Sequence, residues 1–156
     1  MSGLLQLVAG GLSRDGHTLL ADIDLQLRAG CLLAVLGPNG AGKSSLLSLL
    51  SAEQAPSSGQ RIVTAPELLE SNPSCARHMA VLPQLDTLSF PYTAREVIQL
   101  GRMPHATGAA RDAAITEELL GAFDLLPLAD QLYTVLSGGE RKRVQLARVL
   151  AQLWQV

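Results

Sequence analysis

Residues 37–44 combine glycines, a lysine and a serine at the spacing of a phosphate-binding loop. They read Gly-Pro-Asn-Gly-Ala-Gly-Lys-Ser and fit the pattern G-x-x-x-x-G-K-[ST]. Gly40 and Gly42 permit backbone conformations that bring N–H groups close to an anion. Lys43 can reach the β- and γ-phosphates, and the Ser44 hydroxyl can bind Mg²⁺. The pattern predicts nucleotide phosphate binding, and a glycine-rich turn that caps a helix by chance is the alternative.

A second glycine pair lies far along the chain, in Leu-Ser-Gly-Gly-Glu at residues 136–140. Ser137 is a favourable N-cap, so one interpretation is an ordinary capped helix. The other interpretation is a second anion site built on a helix N-terminus. The residues alone leave both interpretations open.

The elements around the phosphate loop follow from hydropathy. Residues 22–28 alternate polar and apolar, which predicts an antiparallel strand with one solvent-facing side. Residues 31–36 are apolar throughout, which predicts a parallel strand buried on both faces. Residues 43–51 carry leucines at helical spacing, and Gly59 with the polar residues before it is expected to close this unit.

A strand and three helices are predicted farther on. Residues 79–82 form a short apolar run that predicts a strand leading into Gln84 in a loop. Thr93 and Glu96 have capping-box spacing, with Gly101 at the expected C-terminal cap. Two further helices are predicted, over residues 112–123, with Ile115, Leu119 and Phe123 on one face, and over the stretch that begins with residues 136–140.

Composition excludes several classes of protein. The 156 residues have a net charge of −2, 47% hydrophobic residues, 17% charged residues and only 3% aromatic residues. This balance argues against disorder and against dedicated nucleic-acid binding, which favours basic and aromatic surfaces. No apolar run is long enough to span a bilayer. Cys31 and Cys75 lack metal-ligand spacing and are expected to pack as free thiols in a reducing compartment.

Three motifs together resemble a known family. Residues 37–44, Gln84 and residues 136–140 resemble, in order, the Walker A loop, Q-loop and LSGGE signature of an ATP-binding-cassette ATPase. The resemblance implies an α/β fold: a P-loop NTPase core with an N-terminal antiparallel β-subdomain and an inserted helical subdomain. Its expected divisions are residues 1–84 for the β-subdomain and core, 85–136 for the helical subdomain and 137–156 for the signature helix.

The resemblance also implies the site residues and partners. ATP and Mg²⁺ are the expected cofactors, with Ser44 and Gln84 as the Mg²⁺ side of the site, and Gln84 also positions the attacking water. A second ATP-binding subunit would close over the nucleotide, a membrane permease would dock on the helical subdomain, and a periplasmic binding protein would act indirectly. The expected location is peripheral, on the cytoplasmic side of a bacterial inner membrane, without nucleic acid. The residues expected to contact nucleotide are Gly37, Pro38, Asn39, Gly40, Ala41, Gly42, Lys43, Ser44 and Ser45, and in trans Ser137, Gly138, Gly139 and Glu140.

Local strings narrow the resemblance to one branch. Residues 82–84, 88–93, 96–97 and 100–105 are similar to haem-import ATP-binding subunits and their relatives for iron chelates and cobalamin. The implied function is coupling of ATP binding and hydrolysis to haem uptake, with ferric-siderophore or cobalamin import as the alternative. A soluble nucleic-acid-associated cassette protein using Arg141, Lys142, Arg143 and Arg148, and a non-catalytic nucleotide-binding module, also stay open. His105 is interpreted as a loop residue in preference to a haem ligand.

Two departures from the family pattern are visible. No aromatic residue precedes Phe90, so Arg14 or His17 is the candidate for contact with the adenine base. No Asp or Glu follows Glu140, although phosphoryl transfer needs a carboxylate for Mg²⁺ and a group that activates water. These features predict a cassette domain truncated before the Walker B strand, which by itself does not hydrolyse ATP.

Overall fold

The computed structural model describes residues 3–69, 74–84 and 90–154. The chain divides into two compact units, Met1–Cys75 and Ala76–Val156. The first unit contains strands β1 (Gly3–Arg14), β2 (His17–Arg28) and β3 (Ser58–Val63) and helix α1 (Lys43–Leu50). The second contains helices α2 (Ala94–Leu100), α3 (Ala109–Ala122) and α4 (Gly138–Leu153). Short 3₁₀ turns lie at Pro66–Leu68, Cys75–Arg77, Leu126–Leu128 and Tyr133–Val135.

The sheet of the first unit is antiparallel, in the order β2-β1-β3. Arg14 pairs with His17, and both intervening residues, Asp15 and Gly16, have positive φ, as a tight hairpin turn requires. The predicted strand over residues 22–28 is confirmed as part of the longer β2. The prediction for Gly59 was wrong, because Gly59 lies inside β3 at φ +71°, where a Cβ would collide with the Ala9 carbonyl.

Helix α1 packs its leucines against the sheet. Leu46, Leu49 and Leu50 are buried, as the spacing of leucines in residues 43–51 predicted. Burial of a leucine side chain stabilises a fold by about 1.5–3 kcal/mol. This cluster therefore fixes the start of α1 relative to the sheet, and its members from the sheet are Leu5, Leu7 and Leu12.

The prediction of a buried parallel strand over residues 31–36 was wrong. Leu32 is 99% exposed, Leu36 is 91% exposed and Cys31 is an exposed free thiol, so Cys31 does not pack either. An apolar run becomes a strand only when a neighbouring strand offers hydrogen-bond partners, and the described strands pair only with one another. Residues 79–82 are likewise without strand structure, and Val81 and Leu82 are 43% and 47% exposed.

Three helices enclose the core of the second unit. Helix α3 begins at Ala109, three residues before the predicted start, because Gly108 at φ +87° provides the N-cap. Ile115 and Leu119 are buried on one face of α3, as predicted, while Phe123 is the C-cap. The core also contains Val97, Ile98, Leu120, Leu125, Tyr133, Val144, Ala147 and Ala151.

The predicted capping box begins helix α2. Thr93 Oγ1 accepts a hydrogen bond from the Glu96 N–H at 3.2 Å, and the Glu96 carboxylate accepts one from the Thr93 N–H at 2.7 Å. Both bonds satisfy backbone donors that would otherwise lack a partner at the helix start. Hydrogen bonds from the Thr93 backbone and hydroxyl lower the pKa of Glu96 below its usual 4.5. Gly101 is the C-cap of α2, as predicted.

This capping box predicts a pH dependence of stability. A carboxylate with a lowered folded-state pKa stabilises the fold above its unfolded pKa, and that stabilisation is lost as pH falls through the folded-state value. Glu96→Gln keeps the reciprocal hydrogen bonds but removes the titration. We expect the variant to lose less thermal stability than wild type between about pH 6 and about pH 3, measured by circular dichroism. Glu118→Gln, on the exposed side of α3, is the control; an identical pH dependence in Glu96→Gln and wild type contradicts the prediction.

Candidate nucleotide-binding site

The phosphate loop ends at the exposed N-terminus of α1. Gly40 and Gly42 have φ of 82° and 86°, and Gly42 is the N-cap of α1. No side chain caps this helix, and its first turn contains no acidic residue. The N–H groups of the first turn, together with the helix dipole, therefore present positive charge toward the loop. This arrangement favours an anion.

The Lys43 side chain folds back over the loop. Its Nζ donates hydrogen bonds to the carbonyl oxygens of Gly37, at 2.8 Å, and Pro38, at 2.6 Å. An ammonium group has three donors, so these two contacts hold the charge above the loop. Of the other predicted loop contacts, Ser45 is half-buried, while Asn39, Ala41 and Ser44 are exposed.

Strand β2 lies directly against the loop. A Cβ at Gly42 would be 2.8 Å from Leu20 Cδ2 and 3.0 Å from the Leu19 carbonyl oxygen. His17 is two residues before Leu19 and therefore on the same face of the strand, and its partner across the hairpin is Arg14. Both candidates for adenine contact thus lie at the hairpin end of the strand that touches the loop.

In the second unit, Gln84 and the signature lie on one cavity. The cavity has a volume of about 720 Å³, and Gln84 and Gly138 are both in its wall. Sequence reasoning missed Tyr133 and Gln145, whose buried side chains join by a 2.9 Å hydrogen bond from Gln145 Nε2 to the Tyr133 hydroxyl. A polar residue between the buried Val144 and Ala147 was the available signal. The other lining residues are Leu82, Pro83, Arg141, Lys142, Arg143 and Leu146.

The signature begins with a capping box and two open glycines. Ser137 Oγ accepts from the Glu140 N–H at 3.3 Å, and the Glu140 carboxylate accepts from the Ser137 N–H at 2.7 Å. These bonds to Ser137 lower the pKa of Glu140. Among the described residues, nothing lies within 4 Å of a Cβ placed at Gly138 or Gly139. Packing against the described part of the chain therefore does not explain the glycine pair.

Residues considered for other functions have internal partners. Arg143 donates to the Phe123 carbonyl at 3.1 Å, and Arg148 Nε donates to Gln145 Oε1 at 2.8 Å. Arg143 and Arg148 of the candidate nucleic-acid patch are thus engaged within the chain. His105 lies in a loop, with its Nε2 2.8 Å from the Gln152 carbonyl oxygen. Among the described residues, no helix is long and apolar enough to cross a membrane.

The fold and the phosphate loop match a known class of protein. The profile of the ABC transporter family matches residues 20–156. The chain therefore belongs to the ABC transporter family, and its fold is that of the family's α/β P-loop ATPase domain.

Two solved structures are similar over almost the whole chain. One is described as an ABC transporter of metal-chelate type in an inward-facing conformation. It has a TM-score of 0.78 at 28% identity, and the match covers 97% of this chain and 57% of the chain in that structure. The other, an ATP-binding subunit of an ABC transporter, has a TM-score of 0.81 at 21% identity, and the match covers 96% of this chain and 62% of the chain in that structure.

Two individual proteins of this family are similar to the chain in sequence. The hemin import ATP-binding protein HmuV of Pseudomonas entomophila is 53% identical over 144 residues, which are 92% of this chain and 56% of the relative. HmuV of Pseudomonas putida is 50% identical over 152 residues, which are 97% of this chain and 60% of the relative. The chain thus spans somewhat more than half the length of these relatives.

The contact between β2 and the loop predicts different costs for two glycine substitutions. Gly40→Ala adds a Cβ with nothing within 4 Å, so its cost is the left-handed backbone alone, about 1–2 kcal/mol. Gly42→Ala adds the same backbone cost and also a contact with the Leu19 backbone and Leu20. We expect Gly42→Ala to be the more destabilising in urea unfolding followed by circular dichroism, with Gly40→Ala as the matched control. Equal midpoints for the two variants would show that β2 does not lie against the loop.

Proposed function

We propose that this chain is the nucleotide-binding part of the ATP-binding subunit of a hemin importer. The observation that carries the proposal is the phosphate loop: Lys43 folded over it, Gly42 pressed against β2, and the uncapped start of α1 below it. Such a loop accommodates phosphate oxygens because no side-chain cap meets the backbone donors at the start of α1.

The proposed nucleotide site uses the backbone and two kinds of side chain. The N–H groups of residues 39–45 surround the phosphates of ATP, and Lys43 leaves its carbonyl partners for the more strongly charged β- and γ-phosphate oxygens. In this proposal the Ser44 hydroxyl would hold Mg²⁺, and Gln84 would act on the Mg²⁺ and on the attacking water. Mg²⁺, when bound, neutralises charge that develops on the phosphates.

The signature acts on the nucleotide of a second subunit. The positive end of α4 and the open surface at Gly138 and Gly139 support contact with a γ-phosphate in trans. Ser137 and Glu140 support that contact by holding the helix start in its capping box. Two copies are then needed to enclose one nucleotide, and we propose a dimer as the ATP-hydrolysing form.

Hydrolysis needs groups beyond the phosphate loop. Residues 141–156 contain no Asp or Glu, so within residues 1–156 no carboxylate follows the signature to hold Mg²⁺ or activate water. We propose that residues 1–156 alone bind ATP but do not hydrolyse it. In this proposal ATP hydrolysis requires a protein as long as the relatives.

Hemin is the proposed cargo because two relatives that share half of their aligned residues with this chain are named hemin import ATP-binding proteins. Iron chelates or cobalamin are the next candidates, since a similar solved structure is described as of metal-chelate type. A membrane permease and, indirectly, a periplasmic binding protein complete the proposed importer, with this subunit peripheral on the cytoplasmic face of the inner membrane.

Nucleotide binding is tested on the chain itself. Lys43→Ala removes the ammonium that faces the phosphates, and loss of charge-assisted hydrogen bonds worth about 1.5–3 kcal/mol should weaken ATP binding roughly ten- to hundredfold. Isothermal titration calorimetry with Mg·ATP measures this change. Lys142→Ala removes the other lysine of the chain and should bind like wild type. Unchanged affinity in folded Lys43→Ala would refute the proposed site.

The cargo is tested in proteoliposomes. They contain the cognate permease and the subunit at the length of its relatives, with ATP inside the compartment that the subunit faces. We expect ATP-dependent hemin uptake, none with Lys43→Ala, and little uptake of a ferric siderophore or cobalamin offered at the same concentration. Uptake of either of those ligands without hemin uptake would reject hemin as the cargo.

A further inference from the structure

Arg102, in the loop between α2 and α3, is a buried cation at the end of helix α4. The residue is only 3% exposed. Its Nη1 donates to the carbonyl oxygens of Ala151, at 2.8 Å, and Trp154, at 2.7 Å. Its Nε donates to Asp112 Oδ1 at 2.9 Å, so the buried charge is paired. The last carbonyls of a helix have no partner within the helix, and Arg102 supplies donors to them.

His105 and Gly101 bring the same loop close to α4. His105 Nε2 contacts the Gln152 carbonyl oxygen at 2.8 Å, so that the carbonyls of residues 151, 152 and 154 are all bound from the α2–α3 loop. A Cβ at Gly101 would collide with the Arg148 carbonyl and lie 2.9 Å from Ala151 Cβ. Only glycine allows this approach of the two backbones.

The side chain of Gln152 joins this helix end to a third segment. Its Nε2 donates to the carbonyl oxygens of Ala76, at 2.7 Å, and Met79, at 3.2 Å. Residues 76–84 form one continuous described stretch, and Gln84 is at its end. Among the described residues of this stretch, 79–84 have no helix or strand of their own. Hydrogen bonds from Gln152 therefore hold a segment that has no secondary structure to hold it.

The other end of α4 carries the signature. The helix has 16 residues, which is about 24 Å at a rise of about 1.5 Å per residue. A helix transmits a displacement of one end to the other as a tilt, because its own hydrogen bonds keep it straight over this length. Gln152 near one end and Ser137 at the other are thus joined by one rigid helix.

We propose that Gln152 is a positioning residue that sets the place of Gln84 relative to the signature helix. Its amide ties the segment leading to Gln84 to the C-terminal end of α4, while Arg102 and His105 hold that helix end in place. The inference rests on the proposed function, because that function assigns roles in ATP turnover to Gln84 and to the signature. The string Leu-Gly-Arg-Met-Pro-His at residues 100–105 then serves to anchor α4.

The test separates the donor from the shape of the side chain. Gln152→Glu keeps the size of Gln152, removes both N–H donors and sets a carboxylate against two carbonyl oxygens. Gln152→Lys restores a donor at a similar reach. Gln131→Glu makes the same chemical change at an exposed loop position and is the matched control. All the variants are made in a protein as long as the relatives, and their ATPase kcat is compared per nucleotide-binding site.

For Gln152→Glu we expect kcat to fall about ten- to hundredfold, because small misplacement of reacting groups has effects of this size. We expect KM for ATP to stay within about twofold of wild type, because the phosphate loop is untouched. Gln152→Lys should recover most of kcat, and Gln131→Glu should match wild type. If Gln152→Glu does not fold, Gln152→Met, which lacks the donors and the charge, takes its place.

A merely structural role would lower the thermal midpoint and the number of nucleotide-binding sites, with kcat per site unchanged. That result, or an equal fall of kcat in Gln131→Glu, would overturn the proposal. Hemin is not part of this measurement, so a wrong cargo leaves it unaffected. Conversely, hemin uptake by the wild-type protein tests the proposed function whatever Gln152 does.

Discussion

The unpaired backbone groups at the ends of helices decide how this protein is built. Every α-helix leaves about four N–H groups and four carbonyls without partners inside the helix. In α2 and α4 the N-terminal groups are met by the reciprocal pairs Thr93–Glu96 and Ser137–Glu140. In α1 no side chain meets them. Of the α-helices that the structure describes, α1 and α3 begin without a side-chain cap, but only α1 also lacks an acidic residue in its first turn, and α1 is the helix that begins at the phosphate loop.

Hydrogen bonds to two carbonyl oxygens of the loop hold the Lys43 side chain against it. Its ammonium group stays close to the loop because the carbonyls of Gly37 and Pro38 accept from it. Neutral carbonyls are weaker partners than phosphate oxygens, so these contacts hold the cation without competing strongly with a nucleotide. The leucine cluster beneath α1 supplies the rigidity. In the proposed nucleotide site, a loop ordered in this way would lower the entropic cost of binding.

The C-terminal end of α4 meets the same requirement by a different route. Its carbonyls are bound by Arg102 and His105 from another loop, and Gln152 extends the network to residues 76–79. Thr107 and Arg102 lower the pKa of Asp112, which keeps the carboxylate charged beside the buried guanidinium. One helix end therefore holds two other segments of the second unit, the α2–α3 loop and residues 76–79. Apolar packing alone would not fix their register so closely, because it is not directional.

Local sequence patterns were sufficient for several features whose partners are neighbours along the chain. The phosphate loop, the capping box at Thr93, the N-cap at Ser137 and the leucine face of α1 all depend on side chains and backbone groups that are neighbours along the chain. The family fold followed from three such motifs in order. The roles of the individual residues in binding nucleotide stay predictions.

Tertiary structure decided the features whose partners are far apart in the sequence. Residues 31–36 have the hydropathy of a buried strand but lack a neighbouring strand in the described chain, and Gly59 resembles a turn but lies in β3. Leu20 rests over Gly42, and Gln152 reaches Ala76 across 76 positions. Periodicity records which face of an element is apolar, whereas pairing and long-range hydrogen bonds depend on which distant groups the folded chain brings together.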